Sequence, residues 1–340
     1  MEKNSLQEDM TGNISNIKFI QACPHDLYFI WQVEVNIVNF RKHKISHLMH
    51  VLVWYPDNEM LQKQGHSPVK IKIDEWVALA RKYPEVSFSF YKDTGVDLGL
   101  YIPQLRPQIL AKHFDMYPHL KNEVIFYHDS DIIFNYLPDF QSLAEGAINW
   151  QSDTSHYLDY DYLRRKEQQG NIPEHEAIET LAKIGNVTVD IIKSYTGRTG
   201  GAQYILKGID GDFWRDVERQ CVEIRKAFSF SVPNSINKKY FKSEAEGFQS
   251  WCADMWAVNM ALWSRGKITD VTSELDFSWA TDSAETYHKK PIFHNAGATK
   301  GHPGLFYKGD WIDKSPLGKN HAVKKDSASW FYVEAMKEVK

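Results

Sequence analysis

Short apolar runs and longer amphipathic stretches alternate along the first 135 residues of the chain. The runs at 17–23, 48–55, 86–91 and 123–127 read as strands, because β-branched and aromatic residues follow one another without helical spacing. Between them, 26–43, 74–83 and 103–117 carry apolar residues at helical spacing, and Asp74 is the predicted cap of the second. Strands separated by helices imply an α/β fold, a mostly parallel sheet flanked by helices. In open sheets of that kind ligands bind beyond the carboxyl ends of the strands.

From about residue 150 the pattern loosens. Residues 150 to 197 are polar around Tyr157, Tyr160 and Tyr162, with a helix predicted over 174–184. A strand entered through the pair Gly200-Gly201 is expected over 200–207, then a helix over 211–228. The stretch 246–264, which holds Trp251, Trp256 and Trp263, has helical spacing throughout.

Charge enters this pattern at one unexpected place. The segment Phe126-Tyr-His-Asp-Ser-Asp-Ile-Ile-Phe134 puts two carboxylates at the carboxyl end of a buried strand. Buried charge is expensive unless it is paired, so Asp129 and Asp131 either leave the core there or grip a cation. Residues i and i+2 of an extended chain point to one side, which suits the second reading. Two further D-x-D pairs, Asp159/Asp161 and Asp210/Asp212, lack the strand context. Near the carboxyl terminus, His294-Asn-Ala-Gly-Ala-Thr-Lys300 follows the apolar Pro291-Ile-Phe293. An imidazole completes a carboxylate site, a glycine admits close approach by an anion, and a lysine supplies positive charge. A glycine turn with a capping histidine and a solvated lysine would also explain that stretch taken alone.

Composition narrows the field. The chain has 340 residues and a net charge of −4, which gives no general attraction to nucleic acid while leaving room for a local basic groove. Cys23, Cys221 and Cys252 are odd in number and far apart, so neither a disulfide framework nor a C-x-x-C metal site is expected. The polar start MEKNSLQEDMTGN and the lack of an apolar run of about 18 residues imply a soluble, unexported protein of the cytoplasm, a phage-infected host included. The glycine-rich dinucleotide fingerprint, the P-loop, H-E-x-x-H and G-x-S-x-G are all missing, which disfavours the enzyme classes they mark.

Taken together, the strand-end D-x-D and the later H-x-x-G-x-x-K resemble the GT-A glycosyltransferases, in particular the retaining glycogenin and galactosyltransferase-like group. Tyr28-Phe-Ile-Trp-Gln32, Leu105-Arg-Pro-Gln-Ile-Leu110 and Gly200-Gly-Ala-Gln203 are similar to hydroxyproline arabinosyltransferase-like and serine galactosyltransferase-like sequences. The resemblance spans about residues 18 to 310 as separate motifs. Gly301-His302 stands where the family has Pro-Trp.

The resemblance implies a Rossmann-like GT-A fold with a nucleotide-sugar half over 14–150, a closely packed donor-sugar and acceptor half over 151–318, and a charged tail over 319–340. It implies Asp129, Asp131 and His294 as ligands of Mn²⁺, with Mg²⁺ as the alternative ion. Arg106, Asp129, Gly201, Gly297 and Lys300 would bind the nucleotide sugar, and Gln203, Asp254 and Lys300 would act at the reacting sugar. The implied activity is retaining transfer from a UDP-sugar to a hydroxyl acceptor on a protein, a glycan or a hydroxylated DNA base, with no membrane partner. A non-catalytic sugar-nucleotide or glycan-binding module and a sugar-nucleotide pyrophosphorylase remain as alternatives. The second lacks a glycine-rich loop after Ile20.

Overall fold

The computed structural model describes residues 16–93, apart from 64, 66 and 69, and residues 101–340. Positions 14 and 15, where the first half was expected to begin, lie outside the described residues. The chain divides into two compact units, one of Met1–Thr94, Glu123–Ala144 and Ser273–Lys340, the other of Gly95–Asn122 and Glu145–Thr272. The units are interleaved along the sequence.

In the first unit β1 (Ile17–Pro24), β2 (Met49–Pro56), β3 (Ser87–Asp93) and β4 (Val124–His128) lie in the order β3-β2-β1-β4, all parallel. Phe19, Ile20, Val51, Leu52, Ile125 and Phe126 are fully buried, as strands covered on both faces require. Phe19 makes edge contacts with Phe40, Phe126 and Phe140 at 5.8, 5.2 and 5.0 Å. The crossover from β1 to β2 is the helix Leu27–Lys42, which ends in Arg41 and Lys42 where cations favour a helix carboxyl end. The helix Ile73–Lys82 begins one residue earlier than expected. Asp74 is therefore not its cap but a first-turn residue, where its charge still complements the free N–H groups.

A second, small sheet belongs to the same unit. Its strands β5 (Ile132–Phe134), β9 (Phe277–Trp279) and β10 (Ile292–His294) have β10 in the middle, antiparallel to β5 and parallel to β9. The residues read as a charged tail hold the helix Ala328–Lys337, which buries Tyr332, Val333 and Met336 against Phe293 and Phe306. The charges of that segment hide an apolar stripe spaced for a helix.

The second unit contains β6 (Asn149–Asp153), β7 (Gly200–Lys207) and β8 (Thr269–Val271), with β6 antiparallel to β7 and parallel to β8. Around them are the helices Leu105–Met116, Tyr160–Gln169, Glu176–Gly185, Gly211–Phe228 and Ala253–Trp263. Strand β6 lies in the stretch that read as merely polar. Its buried groups are Asn149, Gln151 and Ser152, which hydrogen-bond inside the fold and so give no apolar signal. Parallel pairing predominates in the first unit and helices accompany the strands of both, so the α/β class holds.

The two other D-x-D pairs have a structural role. Asp159 caps the helix Tyr160–Gln169 by accepting from the Tyr162 N–H at 2.8 Å, and Asp210 caps Gly211–Phe228 by accepting from Phe213 N–H at 3.1 Å. In each case the second aspartate falls in the first helical turn. The D-x-D spacing there is that of an N-cap followed by a dipole-complementing acid.

Candidate metal centre

Three hydrogen bonds from one helix fix the chain just after the strand-end aspartates. Along Leu27–Lys42, Asn36 Nδ2 donates to the Ile132 carbonyl at 3.0 Å and Asn39 Nδ2 to that of Phe134 at 3.1 Å, while the Phe134 N–H donates to Asn39 Oδ1 at 2.8 Å. Strand β5 is thereby held against the helix although it is three residues long. Its antiparallel ladder with β10 pairs Phe134 with Ile292, Ile133 with Phe293, and Ile132 with His294. The Asn295 N–H then donates to the Asp131 carbonyl at 2.9 Å. A histidine 163 residues further along the chain is in this way delivered beside Asp131 by backbone register.

Asp129 and Asp131 do not lie on an extended strand, as the i, i+2 argument assumed. Strand β4 stops at His128, and the pair occupies the turn that leads into β5. The turn nevertheless turns both carboxylates to His294: Nε2 is 3.5 Å from Asp129 Oδ2 and 3.3 Å from Asp131 Oδ1. One ligand atom from each of the three residues lies within 4.8 Å of the others. Asp131 and His294 are buried, at 4% and 7% exposure, and Asp129 is partly open. Trp279 stacks on the His294 ring at 5.9 Å and Phe277 meets it edge-on at 5.2 Å, so the imidazole is held between aromatic rings. Its Nδ1 is buried and has no hydrogen-bond partner among the described residues.

This donor set fits a divalent ion. Two carboxylates and one imidazole nitrogen are a mixed hard and borderline set, suited to Mn²⁺ more than to Mg²⁺, which prefers oxygen alone. Three donors from a buried turn and a strand end also leave coordination positions for a ligand.

A fourth group, which the sequence reading missed, completes the cluster. The Lys308 ammonium donates to Asp131 Oδ2, so both oxygens of Asp131 are engaged, one by Lys308 and the other facing His294. Burial by itself would raise the Asp131 pKa, but Lys308 and His294 beside it hold the carboxyl below the usual carboxylate range. Burial would likewise lower Lys308, and the Asp131 charge overrides this and lifts it above the usual lysine value. The lysine opens the short 3₁₀ helix Lys308–Trp311. That segment is pinned on both sides, since the Phe306 N–H donates to Ser329 Oγ at 2.8 Å and the Trp311 carbonyl accepts from Trp31 Nε1 at 3.3 Å. The only sign of it in the sequence is a lone lysine after the apolar Leu305-Phe-Tyr307.

The remaining residues of the carboxyl-terminal motif sit at the surface of the same unit. Gly297 has φ +84°, a conformation that side chains rarely adopt, which explains the glycine by backbone geometry. Lys300 has a side chain 80% exposed, with Asp310 Oδ1 at 4.0 Å.

The other expected site residues belong to the second unit. Arg106 and Asp254 are ion-paired with each other, and Asp254 Oδ1 also accepts from the Tyr101 hydroxyl at 2.9 Å. Neither charge is independently presented in this arrangement. Gly201 lies in β7, where an added Cβ would stand 2.9 Å from Met255 Cγ, so close packing explains this glycine. Next to it Ala202 has φ +72°, at a cost of about 1–2 kcal/mol for a residue with a side chain. The following Gln203 is fully buried. Its Oε1 accepts from Ser152 Oγ at 2.7 Å, and its amide nitrogen has no partner among the described residues. Strain and an unsatisfied donor thus coincide in the Gly200-Gly-Ala-Gln203 stretch.

No helix among the described residues is long and apolar enough to cross a membrane. No protein-family model matches the chain, and comparison with curated proteins finds no match.

Proposed function

We propose that the protein is a metal-dependent glycosyltransferase of the retaining GT-A type, transferring a sugar from a UDP-sugar to a hydroxyl acceptor. The observation that carries this reading is the convergence of Asp129, Asp131 and His294, three residues that share one site only because β5 and β10 pair in one register. The α/β layering with a strand-end acidic turn supports it.

Asp129, Asp131 and His294 would hold Mn²⁺, which when bound supplies Lewis-acid stabilisation for a departing diphosphate. Asp131 contributes a buried, ionised carboxylate, and the aromatic clamp on His294 fixes its ring before any ligand arrives. By resemblance Gly297 and Lys300 serve the phosphates; Arg106, Gly201, Gln203 and Asp254, which the resemblance assigns to the nucleotide sugar, belong to the second unit. No general base is assigned. The acceptor hydroxyl belongs to a protein, a glycan or a modified DNA base.

The test is a screen of UDP-sugars for UDP release with and without Mn²⁺. Release that needs Mn²⁺ and falls at least ~100-fold in Asp131→Asn is the expected result. Tight UDP-sugar binding with no release under any acceptor would leave a binding module, and release of sugar 1-phosphate with pyrophosphate as co-substrate would mark a pyrophosphorylase.

A further inference from the structure

Lys308 holds one oxygen of Asp131 while the other faces His294, so a bound metal would share this carboxylate with an ammonium. Its ammonium donates to Asp131 Oδ2, inside the cluster that Asp129 and His294 complete. Two cations, one univalent and tethered, one divalent and diffusible, therefore contend for one buried carboxylate. The backbone that carries Lys308 is pinned at Phe306 and Trp311, so the ammonium moves by rotation of its own four-carbon stem. Its side chain is about a quarter exposed.

Resting on the metal reading above, we infer that Lys308 is a tethered stand-in for the metal that yields Asp131 when the ion binds and then pairs with the anion the ion carries, a nucleoside diphosphate. The physical reason is charge balance. With Lys308 on Asp131 the buried carboxylate is neutralised, and removing that partner without replacement would leave an uncompensated buried charge. An incoming divalent ion provides the replacement and at the same time sets free an ammonium that needs an anionic partner. A diphosphate on the ion supplies it. Metal and diphosphate binding are thus coupled through one side chain, and the coupling is reciprocal. Lys300, beside Asp310 at the surface, does not contend for Asp131, so the coupling runs through Lys308 whatever Lys300 adds at the phosphates.

The readout is the ratio of the Mn²⁺ dissociation constant without UDP to that with UDP, measured by electron paramagnetic resonance of free Mn²⁺. In the wild type the ratio should be well above one. In Lys308→Met it should fall about tenfold or more, because Mn²⁺ binds more tightly when no ammonium competes and less tightly when no ammonium meets the diphosphate. Lys308→Gln, which keeps a hydrogen-bond donor near Asp131, should show the same change and serves if the methionine variant fails to fold. Lys289→Met, at a surface lysine of the same unit paired with Glu285, should keep the wild-type ratio. A wild-type ratio of one, or an unchanged ratio in both Lys308 variants, overturns the inference while leaving the metal site standing. Absence of Mn²⁺ binding in the wild type overturns the metal reading itself, and the inference with it.

Discussion

Asp131 differs from its lookalikes in what its oxygens face. Asp159 spends its oxygens on backbone N–H groups and Asp210 on a helix-start N–H and the Lys121 ammonium at the surface, whereas Asp131 faces a buried imidazole and an ammonium. The difference makes a double dissociation. Replacing either cap by alanine, Asp159→Ala or Asp210→Ala, should cost about 1 kcal/mol of unfolding free energy and leave Mn²⁺ affinity unchanged. Asp131→Asn should behave the other way, with Mn²⁺ binding lost and the folded state retained. Chemical denaturation and metal titration on the same three variants check both halves. Loss of Mn²⁺ binding in a cap variant would place the ion elsewhere.

At the scale of elements, the centre depends on a helix that holds the strand leaving the acidic turn. Leu27–Lys42 holds β5 through Asn36 and Asn39, and at its carboxyl end the His43 Nε2–H donates to the Phe134 carbonyl at 3.1 Å. Burial lowers the His43 pKa, with Lys42 adding to the effect and the Phe134 carbonyl opposing it. The sign follows from the folded value lying below the unfolded one, near 6.5. Below pH 6.5 the unfolded chain takes up a proton that the folded ring resists, so this contribution is present above that pH and is lost as pH falls toward the folded value. Thermal melts at pH 7.5 and 5.5 should therefore show a loss for the wild type that is smaller in His43→Gln. Equal losses would mean that His43 does not carry the effect.

At the scale of the whole molecule, the first unit is closed by its last helix. Tyr332 is fully buried and packs on Phe293 and Phe306 at ring distances of 5.5 and 6.0 Å, and Phe293 immediately precedes the ligand His294. Tyr332→Ala should lower the unfolding free energy by about 3 kcal/mol or more, as loss of a large buried ring does. Denaturant melts measure this, and a change below 1 kcal/mol would show that Ala328–Lys337 is not needed to close the core.

What the chain makes legible without coordinates is whatever depends on neighbours in sequence. The β1 to β4 strands and their crossover helices follow from local periodicity, and Asp129 and Asp131 are conspicuous because charge interrupts an apolar run. His294 could be nominated only by motif resemblance, since nothing local links it to a turn 163 residues earlier. Strand β6 and the terminal helix were obscured because buried amides and hydroxyls carry no apolar signal and because lysines and glutamates on one helix face mask the other. Lys308 was out of reach altogether. It meets Asp131 across 177 residues through the packing of Phe306, Trp311 and Trp31, and a lysine in a charged segment reads as solvated until a fold removes the solvent. Local spacing determined the elements and the acidic turn; strand register and aromatic packing, which act between distant segments, decided what that turn would face.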